Sequence, residues 1–462
     1  MKVVLINPYE IGRQPFGLAQ PVAWLAREGC SVVCLDLSIQ KLEPAVLADA
    51  ALVALYVPMH TATRIAAEAI PKIRAMSRGA SLCVFGLYAP MNAGLFESLG
   101  VGTILGGEVE PGMVSLVRRL QTGGDKAQTE PRVSLEKIDF IAPDRSKLPP
   151  LEKYAQLLMP DGSRQTVGFG ETTRGCKYLC RHCPVAPVYN GTFRVIPEKI
   201  VLDDIRSQIA QGATHISFGD PDFFNGPGHA LRIVRKLHAE FPHISYDATI
   251  KIEHIVNYPD EIRVLRDTGC LFIVSAVESV NDRILEYLDK GHSRDDFIKA
   301  LAFLRETGIA MSPTFVAFNP WTTLEGYRDL LQHIFDLRLI ESVAPVQLAI
   351  RLLIPQGSLI LDLDGLDEVI SDFDPVTLGY RWNNPDPRVD KLQQAVMSWV
   401  MQAEADNLSR QDIFQGVWEL AHQHSDLPVP ALPGYACGEP IPRLSENWYC
   451  CAEPTSEQLA SF

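Results

Sequence analysis

Three cysteines, Cys176, Cys180 and Cys183, lie within one short stretch of the chain. Thiolates at this spacing can bind three irons of one iron–sulfur cube and leave the fourth iron open to a substrate or cofactor. A tetrahedral zinc site is the alternative. Such sites usually combine two ligand pairs a dozen or more residues apart, and no second pair or ligating histidine follows at that distance. The stretch therefore predicts a catalytic iron–sulfur cluster.

A second group of cysteines lies near the end of the chain, where Cys437 precedes the adjacent pair Cys450 and Cys451. A disulfide between adjacent cysteines strains the peptide that joins them, whereas two free thiolates form a soft bidentate ligand. The three thiols predict a catalytic site that binds a thiophilic atom such as trivalent arsenic, or an auxiliary cluster. The alternative is an exposed tail whose thiols have no function.

The composition indicates a folded protein with more than one domain. The chain has 462 residues, 47% of them hydrophobic, and a formal net charge of −14 without a basic run, which argues against a nucleic-acid partner. No segment reaches about 18 uninterrupted apolar residues and the start lacks the features of a signal peptide, so we expect no membrane partner. The ten cysteines favour a reducing compartment, and we expect the cytoplasm.

Short apolar strands alternate with amphipathic helices over residues 1–122, which predicts an α/β domain with a doubly wound parallel sheet. Ligands of such sheets bind in the loops at the carboxyl ends of the strands. These loops are predicted at Asn7 to Gly17, Pro58 to His60, Gly86 to Tyr88 and Gly106 to Glu108. Residues 123–160 lose this periodicity and contain several prolines, so they are predicted to be a linker.

A second series of strands and helices predicts a partial parallel (β/α)6 barrel over residues 161–358. Its strands are predicted at Thr166–Gly170, His215–Gly219, Tyr246–Ile252, Leu271–Val277, Ser312–Phe318 and Val346–Leu353. Residues 359–462 are predicted to form a small helical C-terminal region followed by the cysteine tail.

The run Thr-Arg-Gly-Cys-Lys-Tyr-Leu-Cys-Arg-His-Cys-Pro resembles the Cys-x3-Cys-x2-Cys signature of the radical S-adenosylmethionine (SAM) superfamily. The resemblance covers roughly residues 160–357. It implies a [4Fe–4S] cluster whose open iron chelates SAM and whose electron splits a carbon–sulfur bond, usually giving a 5′-deoxyadenosyl radical. It further implies a small-molecule substrate and an external one-electron donor such as a flavodoxin or ferredoxin.

The same resemblance places SAM contacts at the ends of later strands. The candidate SAM-binding residues are Gly219, Asp220, Glu278, Ser279, Arg351 and His182. Asp220 would accept a hydrogen bond from the SAM ammonium, and Arg351 would bind the SAM carboxylate. Glu278 would hold polar groups of SAM, and His182 would lie near the adenine. As alternatives, Asp220 caps a helix, Ser279 or Asn281 caps the next one, and Arg351 is a surface arginine.

Domain order and the ends of the first and fifth strands resemble the cobalamin-binding half of B12-dependent radical SAM proteins. The signature Asp-x-His-x-x-Gly, which supplies a cobalt ligand in many B12 proteins, is absent, and His60 is the only histidine of residues 1–122. A lone histidine is more often a loop residue than a ligand. Cobalamin therefore stays open as an additional cofactor, because resemblance of fold alone does not carry function.

The segment from Asn447 to Pro454 resembles the ending of the CUAEP/CCAEP-tail family of radical SAM proteins, where some members carry selenocysteine at the place of Cys450. A related radical SAM enzyme of arsenic metabolism also ends in clustered cysteines. The sequence therefore predicts a radical SAM enzyme, a transferase or related, whose tail cysteines engage a thiophilic or redox substrate such as a metalloid. The alternatives are a cobalamin-dependent methyltransferase and a metalloid or redox sensor.

Overall fold

The computed structural model describes residues 1–123, 129–432 and 437–446. Its strands are β1 (Lys2–Asn7), β2 (Ser31–Asp36), β3 (Leu52–Tyr56), β4 (Ser81–Phe85), β5 (Thr103–Gly107), β6 (Val133–Ser134), β7 (Gln156–Leu158), β8 (Arg164–Gly170), β9 (Thr173–Gly175), β10 (Phe193–Val195), β11 (His215–Phe218), β12 (Ser245–Thr249), β13 (Cys270–Glu278), β14 (Ala310–Phe315), β15 (Ile370–Asp374), β16 (Gly379–Trp382) and β17 (Arg443–Leu444).

The α-helices are α1 (Phe16–Arg27), α2 (Pro44–Leu47), α3 (His60–Met76), α4 (Ala93–Ser98), α5 (Val109–Thr122), α6 (Ala186–Tyr189), α7 (Glu198–Ala210), α8 (Pro227–Glu240), α9 (Ile252–Asn257), α10 (Pro259–Asp267), α11 (Asp282–Tyr287), α12 (Arg294–Thr307), α13 (Leu324–Asp336), α14 (Pro387–Ala405) and α15 (Arg410–Gln423). Short 3-10 helices occur at Pro90–Asn92, Leu151–Lys153, Phe223–Asn225, Pro345–Leu348, Leu359–Asp362 and Leu366–Glu368. Across the described ranges, none of the helices is long and apolar enough to cross a membrane.

The N-terminal sheet has the strand order β2-β1-β3-β4-β5-β6, and its strands pair in parallel. Strands β1 and β3 are almost wholly buried and apolar, as expected for strands covered on both faces by helices. The chain direction across the sheet reverses between β1 and β3, and ligands of doubly wound sheets bind at such a switch point. The predicted doubly wound domain is confirmed.

The barrel sheet runs β14-β13-β12-β11-β8-β7-β17, with parallel pairing from β8 to β14 and antiparallel pairing of β7 and β17 at its other edge. The predicted sixth strand, Val346–Leu353, is wrong. Pro345–Leu348 forms a 3-10 helix, because proline is well suited to a first helical position, and in the described chain Arg351 contributes one isolated parallel bridge to Phe318. This side of the partial barrel is therefore closed by irregular backbone.

The segment predicted as a linker, residues 123–160, contains parts of both sheets. Val133–Ser134 extends the N-terminal sheet, and Gln156–Leu158 pairs with β8. Between them, buried Arg145 forms an ion pair with Asp204 at 2.7 Å and donates to the carbonyl of Phe169 at 2.6 Å. Described residues of this segment therefore pack against both domains, and this packing fixes the cavity described below.

Candidate active site between the two domains

A cavity of about 350 Å³ lies between the carboxyl ends of the N-terminal strands and the mouth of the barrel. All four loops predicted from the strand ends of the N-terminal sheet contribute to its wall. They supply Glu10, Ile11, Arg13, Phe16, Gly17, Pro58, Met59, Gly86, Leu87, Tyr88 and Gly107. The barrel supplies residues from the ends of β8, β11, β12, β13 and β14. Both domains therefore build one site, at the sheet edges where ligands of parallel sheets bind.

The three cysteines of the sequence motif, Cys176, Cys180 and Cys183, all line this cavity. Their loop begins after Gly175, which has a φ of +75° and lies so close to the Thr192 carbonyl oxygen that an added Cβ would stand 2.5 Å from it. Glycine is therefore required where the loop leaves the hairpin of β9 and β10.

The arrangement of the cysteines suits a cluster better than a single ion. In the part of the chain that the structure describes, no three His, Cys, Asp or Glu side chains are grouped to hold one metal ion. A cubane does not need such convergence, since each thiolate binds a different iron. Burial raises the pKa of Cys176 to about 11, so the free thiol is protonated at neutral pH and becomes a thiolate when it binds iron. The residues present fit a [4Fe–4S] cluster.

Glu278 ends β13 at a φ of 66°, an uncommon conformation for a residue other than glycine. Its buried carboxylate accepts a hydrogen bond from Lys290 Nζ at 3.3 Å and is bonded to His182 Nε2 at 3.1 Å. Burial opposes ionisation, but the charges of Lys290 and His182 outweigh it and lower the pKa of Glu278 to about 2. The carboxylate thus fixes a histidine that precedes Cys183.

Lys290 connects this group to the cluster loop. It is buried, and the charges of Glu278, Cys180 and Cys183 raise its pKa against the effect of burial. Its ammonium therefore lies where it balances negative charge on the cluster thiolates. Glu278, His182 and Lys290 all line the cavity, so the predicted placement of Glu278 and His182 near bound SAM stays a prediction that the geometry supports.

Asp220 is placed differently from its prediction. Its buried carboxylate accepts hydrogen bonds from the backbone N–H and hydroxyl groups of both Thr172 and Thr173, at 2.6 to 2.9 Å. Burial raises the pKa of Asp220 to about 6 although these donors oppose the effect. Gly219 lines the cavity and Asp220 does not. The geometry therefore assigns Asp220 to anchoring the segment before the cluster loop rather than to binding the SAM ammonium.

Arg351 and Ser279 also take structural positions. Arg351 donates to Asp390 at 2.7 Å and lies 3.5 Å from the centroid of the Trp382 ring, outside the cavity wall. Ser279 Oγ accepts from the Asn281 backbone N–H at 3.1 Å, and the Asn281 side chain caps α11. Neither arrangement supports the predicted contact with SAM, and the helix cap is made by Asn281 rather than by Ser279.

The structure adds a hydrogen-bonded chain that the motifs do not indicate. His254 Nδ1 lies 3.0 Å from the Asp222 carboxylate, and its Nε2 lies 2.7 Å from the hydroxyl of Tyr178, a residue of the cluster loop. Lys251 Nζ stands 3.3 Å from the centroid of the Tyr178 ring. The available signal was the position of Asp222 after β11, since polar side chains at strand ends of such barrels are candidates for function.

A buried ionic cluster joins the two domains beside the cysteine loop. Arg174 donates to Glu108 at 3.0 Å and to Glu110 at 2.7 Å, and its Nε lies 3.8 Å from Glu171. The pKa of Glu171 rises to about 8, because burial disfavours its charge more than Arg174 favours it. The sequence gives no signal for this cluster, since Glu108 and Glu110 lie more than about 60 residues before Arg174 along the chain.

The third predicted cysteine of the tail site, Cys437, lies near the end of α13, where its carbonyl accepts from the Glu341 N–H at 3.0 Å. It is not part of the cavity wall. Its predicted partners, Cys450 and Cys451, lie outside the described residues.

The last described residue, Glu446, accepts a 2.6 Å hydrogen bond from the Tyr9 hydroxyl. This bond places the start of the tail beside Glu10 and Ile11 of the cavity wall.

Residues 171–325, which include the cluster loop and the later strand ends, match the model of the Radical SAM superfamily. These residues form a radical SAM domain. The match confirms the predicted superfamily, which uses a [4Fe–4S] cluster and SAM. The three cysteines of the radical SAM domain are accordingly the candidate cluster ligands.

Two solved structures share the fold with this radical SAM domain and the sheet before it. OxsB, a cobalamin-dependent SAM radical enzyme solved with aqua-cobalamin and SAM bound, aligns with a TM-score of 0.65 and 14% identity over 87% of this chain and 67% of its own. TsrM from Kitasatospora setae, a radical SAM methyltransferase solved with cobalamin and a [4Fe–4S] cluster, aligns with a TM-score of 0.59 and 20% identity over 73% of each chain. Both confirm the predicted fold class.

A relative by sequence is the tRNA-2-methylthio-N(6)-dimethylallyladenosine synthase of Chlorobium phaeovibrioides, 26% identical over 161 residues. The match covers 32% of this chain, and the chain spans about a third of that relative, 35%. Because a tRNA-modifying enzyme is among the relatives, the predicted absence of a nucleic-acid partner stays a prediction.

Proposed function

We propose that the protein is a radical SAM enzyme that transfers a group, as cobalamin-dependent methyltransferases do, to a small molecule bound in the interdomain cavity. The observation that carries this proposal is that one cavity is lined by the three cluster cysteines and by four strand-end loops of the N-terminal domain. A substrate bound there would lie beside the cysteines that would hold the cluster and beside the strand-end loops of the N-terminal sheet.

The residues of the radical SAM domain have distinct roles in this proposal. A bound cluster supplies the electron that cleaves the carbon–sulfur bond of SAM. Cys176, Cys180 and Cys183 hold the cluster, and Lys290 balances its negative charge. Glu278 fixes the ring of His182 through its Nε2 atom. Apolar side chains of the wall exclude water from the site, which strengthens the electrostatic interactions inside it.

Cobalamin is the cofactor that the fold of OxsB and TsrM implies. The wall next to the N-terminal strand ends includes Met59, Leu87 and Tyr88, which offer an apolar face to a flat corrin ring. His60 is outside this wall and 2% exposed, and burial lowers its pKa to about 4. The residues therefore fit a corrinoid held without a protein histidine on cobalt.

Anaerobic reconstitution tests this proposal. We expect protein loaded with cluster, SAM and dithionite to release a SAM cleavage product, and we expect added cobalamin to stay bound through gel filtration. Absence of any cleavage product despite a full iron complement would refute the radical SAM reaction. Failure to retain the corrinoid would refute its cobalamin-dependent form alone.

A second proposal concerns the tail, in which Cys450 and Cys451 engage a thiophilic or redox substrate at the same cavity. It is supported by the Tyr9–Glu446 bond, since the four residue-to-residue steps from Glu446 to Cys450 span at most about 14 Å when extended. Trivalent arsenic is the candidate metalloid, because it prefers thiolate ligands. The same tail would serve a sensor, but a sensor does not turn over SAM, so multiple turnover would exclude that alternative.

The double variant Cys450→Ser/Cys451→Ser tests the tail. We expect normal iron content and normal SAM cleavage without substrate, but loss of product from the true substrate and loss of arsenite binding. Cys30→Ser, a half-buried thiol of the N-terminal domain, is the matched control. Wild-type arsenite binding by the double variant would show that the tail is not the thiophilic site.

A further inference from the structure

Two polar side chains of the N-terminal domain that line the interdomain cavity have buried atoms with no hydrogen-bond partner among the described residues. Gln20 on α1 is 2% exposed, yet neither its Nε2 nor its Oε1 is paired. Glu10, in the loop after β1, has an unpaired buried Oε2. Both line the cavity. A buried polar group left unpaired costs about 1–3 kcal/mol, so this pair is a feature that needs a ligand to explain it.

A third carboxylate, Glu171, comes to the same part of the wall from the other domain. It is the first residue after β8 and also lines the cavity. The pKa of Glu10 is raised well above its ordinary value, first by burial and then by the charge of Glu171. Each carboxyl group is thus held near another acidic group in a poorly hydrated place, where its charged form is disfavoured unless a cation binds.

The cations nearby are mostly engaged elsewhere. Arg174 directs its terminal nitrogens to Glu108 and Glu110 and reaches Glu171 only at 3.8 Å. Arg145, which lowers the pKa of Glu10, forms an ion pair with Asp204.

Arg13 also lowers the pKa of Glu10, and its guanidinium carbon lies 4.5 Å from the centroid of the Phe169 ring. The charge of Asp36 raises the pKa of Glu10. The charges of Asp220, Glu108 and Glu110 likewise raise the pKa of Glu171. Positive charge on a ligand would therefore be stabilised at this end of the cavity.

The chemistry of these groups selects one kind of ligand. An ammonium has three donors and no acceptor, so its chemistry suits carboxylate oxygens and the Gln20 carbonyl oxygen. The Gln20 Nε2 then remains to donate to an oxygen of the same ligand. The ring of Tyr56 also lines the cavity, and aromatic faces attract cations.

We propose that Glu10, Gln20 and Glu171 form the binding site for an ammonium group of the substrate, so that the substrate class is an amine-bearing small molecule. This inference rests on the proposed function only in assuming that the substrate enters the interdomain cavity. A primary amide of a corrinoid is also a nitrogen donor, but it carries no charge to offset two carboxylates. The experiment below distinguishes a substrate ammonium from a corrinoid amide.

The test measures binding of 2-phenylethylammonium to cluster-loaded protein by isothermal titration calorimetry, with 2-phenylethanol as the uncharged analogue. We expect the amine to bind at least about tenfold more tightly than the alcohol, which corresponds to about 1.4 kcal/mol. Glu10→Gln and Glu171→Gln should each weaken amine binding by about tenfold and leave alcohol binding unchanged. Glu68→Gln on the outer side of α3 is the matched control and should bind the amine as the wild type does.

Equal affinity of the wild-type protein for amine and alcohol would overturn the proposal, and so would amine binding that is unchanged in both Gln variants. If those variants bind the amine normally but fail to retain cobalamin on gel filtration, the site serves the corrinoid amide and the proposal is wrong. Folding is monitored by thermal unfolding, and Glu10→Gln should be at least as stable as the wild type because it replaces a buried carboxyl group whose ionisation is disfavoured. SAM cleavage is measured separately, so that failure of the proposed function is not mistaken for failure of this site.

Discussion

The two walls of the interdomain cavity differ in how their polar groups are satisfied. On the barrel wall, Glu278 is bonded to His182 and Lys290. On the N-terminal wall, Glu10 and Gln20 present atoms without partners in the described chain. The carboxylate of the barrel wall is thus paired within the protein, whereas Glu10 and Gln20 of the N-terminal wall leave side-chain oxygens without a partner. On the barrel side, His182 Nδ1 is also without a partner among the described residues.

The strongest test of the barrel wall removes a cluster ligand. Cys180→Ser should abolish cluster binding and SAM cleavage, because losing a ligand costs more than the roughly 100-fold that loss of an outer partner can cost. Iron content and product formation are measured on anaerobically purified protein. Cys30→Ser is the control, and a Cys180→Ser variant with full iron content and activity would show that this thiol is not a ligand.

The pairing of the Glu278 carboxylate with Lys290 is tested by Glu278→Gln, which leaves Lys290 buried without its counter-charge. We expect a loss of about 3–5 kcal/mol in the free energy of unfolding of the cluster-free protein at pH 7, measured in urea. Glu198, whose pKa is also lowered to about 2 by Lys236 and Arg232, lies on the surface, and Glu198→Gln should cost less than about 1 kcal/mol. Equal losses of unfolding free energy in Glu278→Gln and Glu198→Gln would contradict the expected difference between a buried and a surface ion pair.

The same variant has a defined pH dependence. The pKa of Glu278 in the folded protein is about 2, below the value of about 4.3 in an unfolded chain. Its contribution to stability is therefore complete above about pH 4.5 and is lost as the pH falls toward 2. We expect the stability difference between wild type and Glu278→Gln to be constant from pH 7 to pH 5 and to shrink at pH 3. A difference that persists at pH 3 would mean that the carboxylate charge is not its source.

The junction between the walls is tested by Arg174→Lys. Lysine keeps the charge but loses the planar fork that reaches Glu108 and Glu110, so we expect a loss of about 2 kcal/mol in the free energy of unfolding. Arg118 makes a comparable two-bond contact to Glu28, but on the surface, so Arg118→Lys should show no measurable change. Matching losses would remove the distinction between the buried and exposed pairs.

The smallest effect is expected for Arg351→Gln. Because Arg351 is held by Asp390 and Trp382 outside the cavity wall, SAM affinity should change by less than about threefold. Equilibrium binding of SAM to cluster-loaded protein measures this. A tenfold or greater loss would restore Arg351 to the SAM site that the sequence motif indicates.

Local patterns were sufficient to predict the loops that form the site. Apolar strand runs such as Val3–Ile6 and the glycines and prolines after them locate strand ends, and parallel pairing then brings those ends together. The cysteine spacing likewise predicted a group that the structure keeps together on one wall. The strand predicted at Val346–Leu353 was wrong, because an apolar run of that length is equally compatible with buried irregular backbone.

Pairing between distant residues could not be predicted in the same way. Asp220 was expected to be open to SAM, but Thr172 and Thr173 reach it from about 50 residues earlier in the chain. Gln20 reads as an ordinary polar residue of an amphipathic helix, and only the fold shows that its amide is buried. Periodicity specifies which face is buried, and it does not specify which polar groups meet there.

The pairing of β17 with β7 has a consequence for biosynthesis. Leu158 of the barrel edge is matched by Arg443, so the backbone groups of that edge find these partners only after Arg443 has been translated, long after the barrel strands. Until then the nascent barrel exposes an unpaired strand of the kind that recruits other chains. The order in which the ribosome releases the chain therefore makes completion of this sheet edge a late folding event, coupled to the arrival of the segment that leads into the cysteine tail.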